Sequence, residues 1–280
     1  MSARYFLRKK AARWLSVGAL IFVGSIAGAQ QNARNQGGLD KDIPVPSLTE
    51  ALSEQASATG IAQIQLYARK VGASAWQGMQ ATGTMTYANA LDPLPTRLTM
   101  LPGNRVRLTV TTSKGDTVTG TDGVLGHAQQ AGERDARLPA LATAAGVAPF
   151  DLPGLVALSP SGYSIVDHGT ITLENEALHR ISIGTVLQNR DAGAVVESHS
   201  VTDFYFDSGT HLLRKSASIT LIPGVGRHRF VRVLTYANYK TSGAVLIPTL
   251  ISETLDGRAT WSLQLNTIDT TTPIATPVAF

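Results

Sequence analysis

The residues best able to do chemistry in this 280-residue chain are Asp207, in the stretch FYFDSGTHLLRK, and six histidines: His127, His168, His179, His199, His211 and His228. A carboxylate that follows an apolar strand can work as one half of an acid–base pair. Two such groups about 3 Å apart cannot both ionise, so they share a proton. That chemistry needs a second loop, and no other Asp-Ser/Thr-Gly occurs. The flanks FYFD and HLLRK are both strand-like. Asp207 offers an oxygen for backbone amides and Gly209 a residue tolerant of positive φ, so the spacing predicts a hairpin turn. Among the histidines there is no His-x-His, no His-Glu-x-x-His and no nearby pair with a carboxylate at ligand spacing, so no metal site is expected. A Gly-x-Ser-x-Gly elbow, a P-loop and a Gly-x-Gly-x-x-Gly after a strand are all missing. The chain is read as a non-enzyme that needs no cofactor.

Charge and compartment follow from the first 29 residues. MSARYFLRKKAARW carries five basic residues and no acid, and WLSVGALIFVGSIAG follows, ending in Ala27-Gly28-Ala29. A positive start, a short apolar run and small residues at the end make a secretory signal, with cleavage expected between Ala29 and Gln30. The run falls short of a spanning helix, and no second one occurs, so a chain that is not transmembrane after signal removal is expected. Of 24 basic residues five lie in the signal, leaving 19 against 20 acidic ones, a net charge of −1. A nucleic-acid partner, which needs a basic face, is therefore not expected. Arg227, Arg229 and Arg232 are read as a solvated strand face. With no cysteine, neither disulfides nor a lipid attached at a processing-site thiol are available. The expected location is the periplasm or the extracellular side of a bacterial envelope.

The elements that would position a site come next. Residues 30–46 are polar and almost free of bulky apolar groups, which predicts a disordered linker. Residues 47–280 read as a single domain. Ser47 and Glu50 have capping-box spacing, with Leu48, Leu52 and Ala56 on one helical face and Gly60 as the expected stop. From Trp76 the period becomes two: Met79, Ala81, Gly83, Met85 and Tyr87 alternate with polar residues, then Leu98 and Met100, then Val106, Leu108 and Val110. A helical insert is expected over about residues 133–159, and strands then resume to the end. The fold class is mainly β with a few helices: about ten antiparallel strands in a curved, unclosed sheet covered by helices.

Such a sheet can enclose an apolar pocket of the kind ligands use, and methionine adapts to flexible ligands. The candidate ligand-binding residues on its concave face are Met85, Tyr87, Leu98, Met100, Leu108, Val110, Phe204 and Phe206. The implied partner is a hydrophobic or amphipathic small molecule such as a lipid or acyl chain. The alternative is a structural or protein-interaction module with a packed interior.

The closing stretch LTYANYKTSGAVLIPTLISETLDGRATWSLQL resembles the last hairpins of the periplasmic lipoprotein-carrier superfamily, the LolA/LolB-like proteins of outer-membrane lipoprotein sorting. The residues that carry the resemblance are Tyr236, Tyr239, Gly243, Ile247-Pro248, Asp256-Gly257, Trp261, Leu263 and Leu265, and FYFDSGTHLLRK resembles the superfamily's strand–turn–strand. The match is strongest over residues 200–268. It implies an unclosed half-barrel covered by helices, with a hydrophobic cavity that accepts acyl chains. Two readings of other classes carry less. Asp207-Ser208-Gly209 resembles the catalytic loop of aspartic proteases, and the terminal Phe280 raises an outer-membrane barrel, against which stand the prolines of the tail and the few aromatic residues.

Overall fold

The computed structural model describes residues 43–44, 57–90, 92–103, 105–122, 125–129, 136–139, 163–185, 201–221 and 229–274. Among these, thirteen strands form one antiparallel sheet. They are β1 (Met79–Tyr87), β2 (Leu94–Leu101), β3 (Arg105–Thr112), β4 (Gly115–Asp122), β5 (Leu125–Gln129), β6 (Ala136–Pro139), β7 (Tyr163–Leu173), β8 (Glu176–Thr185), β9 (Thr202–Asp207), β10 (Leu213–Leu221), β11 (Arg229–Ser242), β12 (Val245–Leu255) and β13 (Arg258–Asp269). Their order is β6-β5-β4-β3-β2-β1-β13-β12-β11-β10-β9-β8-β7. The chain builds outward from β1 to one edge and crosses to the other. It then returns strand by strand until β13 closes against β1. The sheet is not closed into a barrel, since β6 and β7 each pair on one side only.

Alternation decides which face each strand buries. Ala81 opposes Leu98, Leu98 opposes Leu108, Met100 opposes Val106 and Met85 opposes Leu263, so direct partners put apolar groups on one face. That face holds a single large core cluster running from Val106 and Val110 on β3 to Ile165 on β7. The opposite face carries a smaller cluster of Leu173, Leu178, Tyr205, Ala217 and Val233, onto which Ile43 packs at 6% exposure. Ile43 belongs to residues 30–46, expected to form a linker; apart from residues 43–44 that segment lies outside the described residues.

One helix, α1 (Ala58–Val71), lies on the large cluster through Gly60, Gln63, Ile64, Tyr67 and Val71. These recur at three- and four-residue spacing, the buried stripe of an amphipathic helix. Ser57 is its N-cap, accepting from the Gly60 amide at 3.3 Å, and Gly72 ends it in the left-handed region at φ 71. Gly60 therefore opens the helix instead of stopping it. A Cβ there would sit 2.8 Å from Ile165 Cγ2, so a bare backbone is what lets the helix start approach β7. The Ser57 amide also donates to the Ile165 carbonyl at 2.8 Å. At the other end a Cβ on Gly72 would meet the Ala244 carbonyl at 2.2 Å, so the helix spans from β7 to the β11–β12 hairpin.

The expected helical insert is corrected at its start, where Ala136–Pro139 is a strand paired with β5. The rest of the insert, like the Ser47–Glu50 capping box, lies outside the described residues. β7 is one strand with a register shift between Asp167 and Gly169. Gly169, at φ 71, marks that bulge.

Candidate functional site

Seven of the eight candidate residues enter the large cluster as buried side chains: Met85, Leu98, Met100, Leu108, Val110, Phe204 and Phe206. Tyr87, half-buried, packs against it. Tyr67 of α1 meets Phe206 with ring centroids 5.4 Å apart and planes tilted by 53°, an attractive geometry for two aromatic rings. Burial, with Tyr239 and Tyr236 adding to it, holds the Tyr67 hydroxyl well above its ordinary ionisation range. Tyr236, fixed to Ser216 at 3.1 Å, is pushed up by burial to about 12. Both phenols stay neutral at any physiological pH. The Tyr239 hydroxyl donates to the Leu213 carbonyl at 2.7 Å.

The Asp207 loop is a turn. Asp207 Oδ1 accepts from the Gly209 amide at 3.1 Å, the Thr210 amide at 2.6 Å and the Thr210 hydroxyl at 2.8 Å. Slight burial raises the carboxyl, but the two Thr210 donors and the Gly209 amide outweigh it, leaving Asp207 below its ordinary value. A carboxylate held ionised by its own turn does not share a proton with a second one. The positive φ falls on His211, at 59°, and not on Gly209 as expected.

Register assembles two groups that the linear sequence hides. On the far face, Ser182 opposes Asp203 and Arg180 opposes Tyr205. Asp203, fully buried, accepts from Ser182 Oγ at 2.5 Å and from Arg180 Nε at 3.0 Å and Nη2 at 2.8 Å. His168 Nε2 lies 2.7 Å from Ser182 Oγ. Serine, histidine and aspartate are all present, but in the wrong order for nucleophilic catalysis. A triad puts histidine between the other two, whereas here serine bridges and gives its proton to the carboxylate. Burial raises the Asp203 carboxyl despite Ser182 and Arg180.

On the helix side, Arg232 is bound through Nε to Glu253, and Glu253 also accepts the Thr260 hydroxyl at 2.6 Å. The expected solvated arginine face is corrected here, because the Arg232 side chain is 18% exposed and its partner's is 2%. Arg227 lies outside the described residues. The histidines gather no metal set: among the described residues no group of three or more His, Cys, Asp or Glu could hold an ion. His179 Nε2 instead binds Asp167 Oδ1 at 2.7 Å beside the start of α1. No helix among the described residues is long and apolar enough to cross a membrane.

A helix-bearing, unclosed antiparallel sheet of this kind is also seen in solved structures. A domain from Vibrio parahaemolyticus described as outer membrane lipoprotein-sorting is 13% identical, with a TM-score of 0.52 over 78% of this chain and 94% of its own. A LolA superfamily protein from Nitrosomonas europaea is 9% identical, with a TM-score of 0.49 over 78% of this chain and 95% of its own. No protein-family model matches the sequence, and no curated protein matches it. The protein has the LolA-like fold: a mainly β, unclosed antiparallel sheet carrying few helices.

Proposed function

We propose that this protein is an exported, non-enzymatic envelope protein that holds an acyl chain or other amphipathic molecule between α1 and the sheet. The observation that carries this reading is the composition of the helix-side face. All three methionines beyond Met1 lie on it, Met79, Met85 and Met100, each at 2% exposure or less, alongside Leu98, Phe204 and Phe206. Long, unbranched side chains adapt to an occupant in a way that branched ones do not. The likeness to the Vibrio domain supports the fold, and the signal sequence supports export. Extraction of the purified protein with organic solvent, paired with native mass spectrometry, tests the reading: a co-purifying lipid and its mass increment are expected. Repeated preparations that are empty and take up no neutral fluorescent probe would overturn it.

The close packing of the same residues favours a second reading, an interaction module with a filled interior. Phe206 and Leu213 are at 0% exposure and Leu98 at 1%. Under that reading the probe does not bind and overpacking substitutions such as Leu98→Phe destabilise, by about 1–3 kcal/mol. Under the first, Leu98→Phe reduces uptake of the probe.

A further inference from the structure

The face of the sheet opposite α1 is as dry as the one the helix covers. Val233, Ala217, Asp203 and Ser182 are direct partners across β11, β10, β9 and β8, so they share that face. Ala217 and Asp203 are at 0% exposure, and so are Leu178 and Tyr205 of the same face. A sheet face left in water cannot hide a carboxylate and a tyrosine completely, so another layer lies over these strands. Of the described residues in this apolar cluster, only Ile43 lies outside the strands.

The sequence around Ile43 suits such a seat. Residues 30–42 hold one bulky apolar residue, Leu39, and Ile43-Pro44-Val45-Pro46 follows. A residue that precedes proline is held extended, so Ile43 and Val45 are set before they dock and little chain entropy is lost. Proline has no amide hydrogen to give a ladder, and Ile43 and Pro44 belong to no strand. The segment is therefore fitted to lie across a sheet face by its side chains, not to extend the sheet at an edge.

The chain's next fixed point is on the other face. Ser57, fourteen residues on, donates to the Ile165 carbonyl of the edge strand β7 and caps α1. Fourteen residues reach about 50 Å at most, enough to pass round the β7 edge. The other edge, β6, is twelve strand spacings from β7, about 58 Å along the sheet and beyond that reach. We propose that the far face of β7–β11 is a docking surface for an extended Ile-Pro segment, and that its resident occupant is the chain's own arm, residues 30–46. Ile43 seats the arm, and the chain turns round β7 to Ser57, so that one strap holds β7 from both faces. It also keeps water from the Asp203–Arg180 pair. This surface is on the face opposite α1 and does not depend on the proposed binding function.

The chain has no cysteine, so one introduced thiol reports how well its site is covered. Ala217→Cys places it on the far face and Met85→Cys on the helix side, each in the full purified protein with and without Ile43→Asp. Labelling with Ellman's reagent is followed by absorbance. Ile43→Asp should speed labelling of the Ala217→Cys protein about tenfold or more, the effect of losing one buried isoleucine, and leave the Met85→Cys protein unchanged. Ile43→Ala should act in the same direction to a smaller extent, and serves if Ile43→Asp fails to fold. A synthetic peptide of residues 36–48 should restore the protection, and the same peptide carrying Ile43→Asp should not. Labelling at 217 that ignores Ile43, or that rises equally at 85, overturns the seat. A peptide that protects no better than its variant shows that the face is no docking surface for this segment. Protection that depends on protein concentration assigns the arm to a second copy and overturns the assignment to the chain's own.

Discussion

Asp207→Ala removes three hydrogen bonds at once, to the Gly209 amide, the Thr210 amide and the Thr210 hydroxyl. A shielded bond to a charged group contributes ~1.5–3 kcal/mol, but these lie near solvent and water replaces part of each. A side-chain oxygen capping exposed amides is a better guide, at about 1 kcal/mol, so the set should be worth about 1–2 kcal/mol. The turn's backbone bonds survive: Asp207 N to the Leu212 carbonyl at 2.8 Å, His211 N to the Asp207 carbonyl at 2.8 Å and Ser208 N to the Ala177 carbonyl at 3.0 Å. The loop therefore loosens and does not open. For a domain of this size 1 kcal/mol moves Tm by about 2–4 °C, so a fall of roughly 2–8 °C is expected. Asp207→Asn keeps an acceptor and should lose less than half of that. The pH dependence follows from the depressed carboxyl. Its contribution is complete above the unfolded value of 3.8 and fades as pH falls through the lower folded one, so wild type and Asp207→Ala should converge in strong acid. Thermal melts followed by circular dichroism at neutral and acid pH read all of this. Equal melting points at pH 7, or an asparagine as damaging as alanine, would refute the turn argument. A hydrolytic activity lost in Asp207→Asn with Tm preserved would restore the catalytic reading.

Arg232→Met leaves the buried Glu253 carboxylate with only Thr260 and should destabilise by about 3–5 kcal/mol in urea titration; adding Glu253→Leu should recover most of the loss, and a single variant as stable as wild type would contradict the pairing. Asp167 should make the start of α1 acid-sensitive. Burial raises its carboxyl, but the Thr59 hydroxyl, the Gly169 amide and His179 outweigh this and hold it below the ordinary 3.8. The clamp is therefore complete above that value and lost as pH falls through the depressed one. Amide exchange at Gly60 and Ile61, corrected for the intrinsic rate, should rise in acid before that of β12 does, and Asp167→Asn should abolish the difference. Identical pH profiles for the two segments would count against the clamp.

How far the sequence anticipates this depends on whether the signal is local. The alternation through Met79–Tyr87, Leu98–Met100 and Val106–Val110 locates three strands and their buried face, because one face of each must leave water. The helix start is different. Ser57 caps it and Gly60 lies in its first turn, yet glycine is a poor helix former and reads as a stop. Only the approach of Ile165, more than a hundred residues on, explains it. β5 and β6, LGHAQ and ARLP, have no apolar alternation to declare them. His168, Ser182 and Asp203 meet through strand register, so no spacing rule finds them. Thr202 was within reach: it stands two residues before Phe204 and four before Phe206, so the period of two already puts a hydroxyl on their buried face.

Thr202 and Asp203 are chain neighbours on opposite faces of β9, and the fold treats them differently. Asp203 is the harder group to bury, yet each of its carboxylate oxygens is met, by Ser182 and by Arg180, with the Tyr205 hydroxyl 3.4 Å from Oδ2. Thr202, equally buried, needs only one partner and has none. A chain that satisfies a buried carboxylate one residue away has the means to satisfy a hydroxyl, or to put valine in its place. Crowding or poor design would leave unpartnered groups on both faces. Among the described side chains the unmet polar atoms of Gln63 and Thr202 fall on the side where α1 covers the sheet, and those of Ser208 and His211 in the β9–β10 turn. The difference between Asp203 and Thr202 is what the proposed binding reading expects, because groups meant for an occupant cannot also be consumed by the fold.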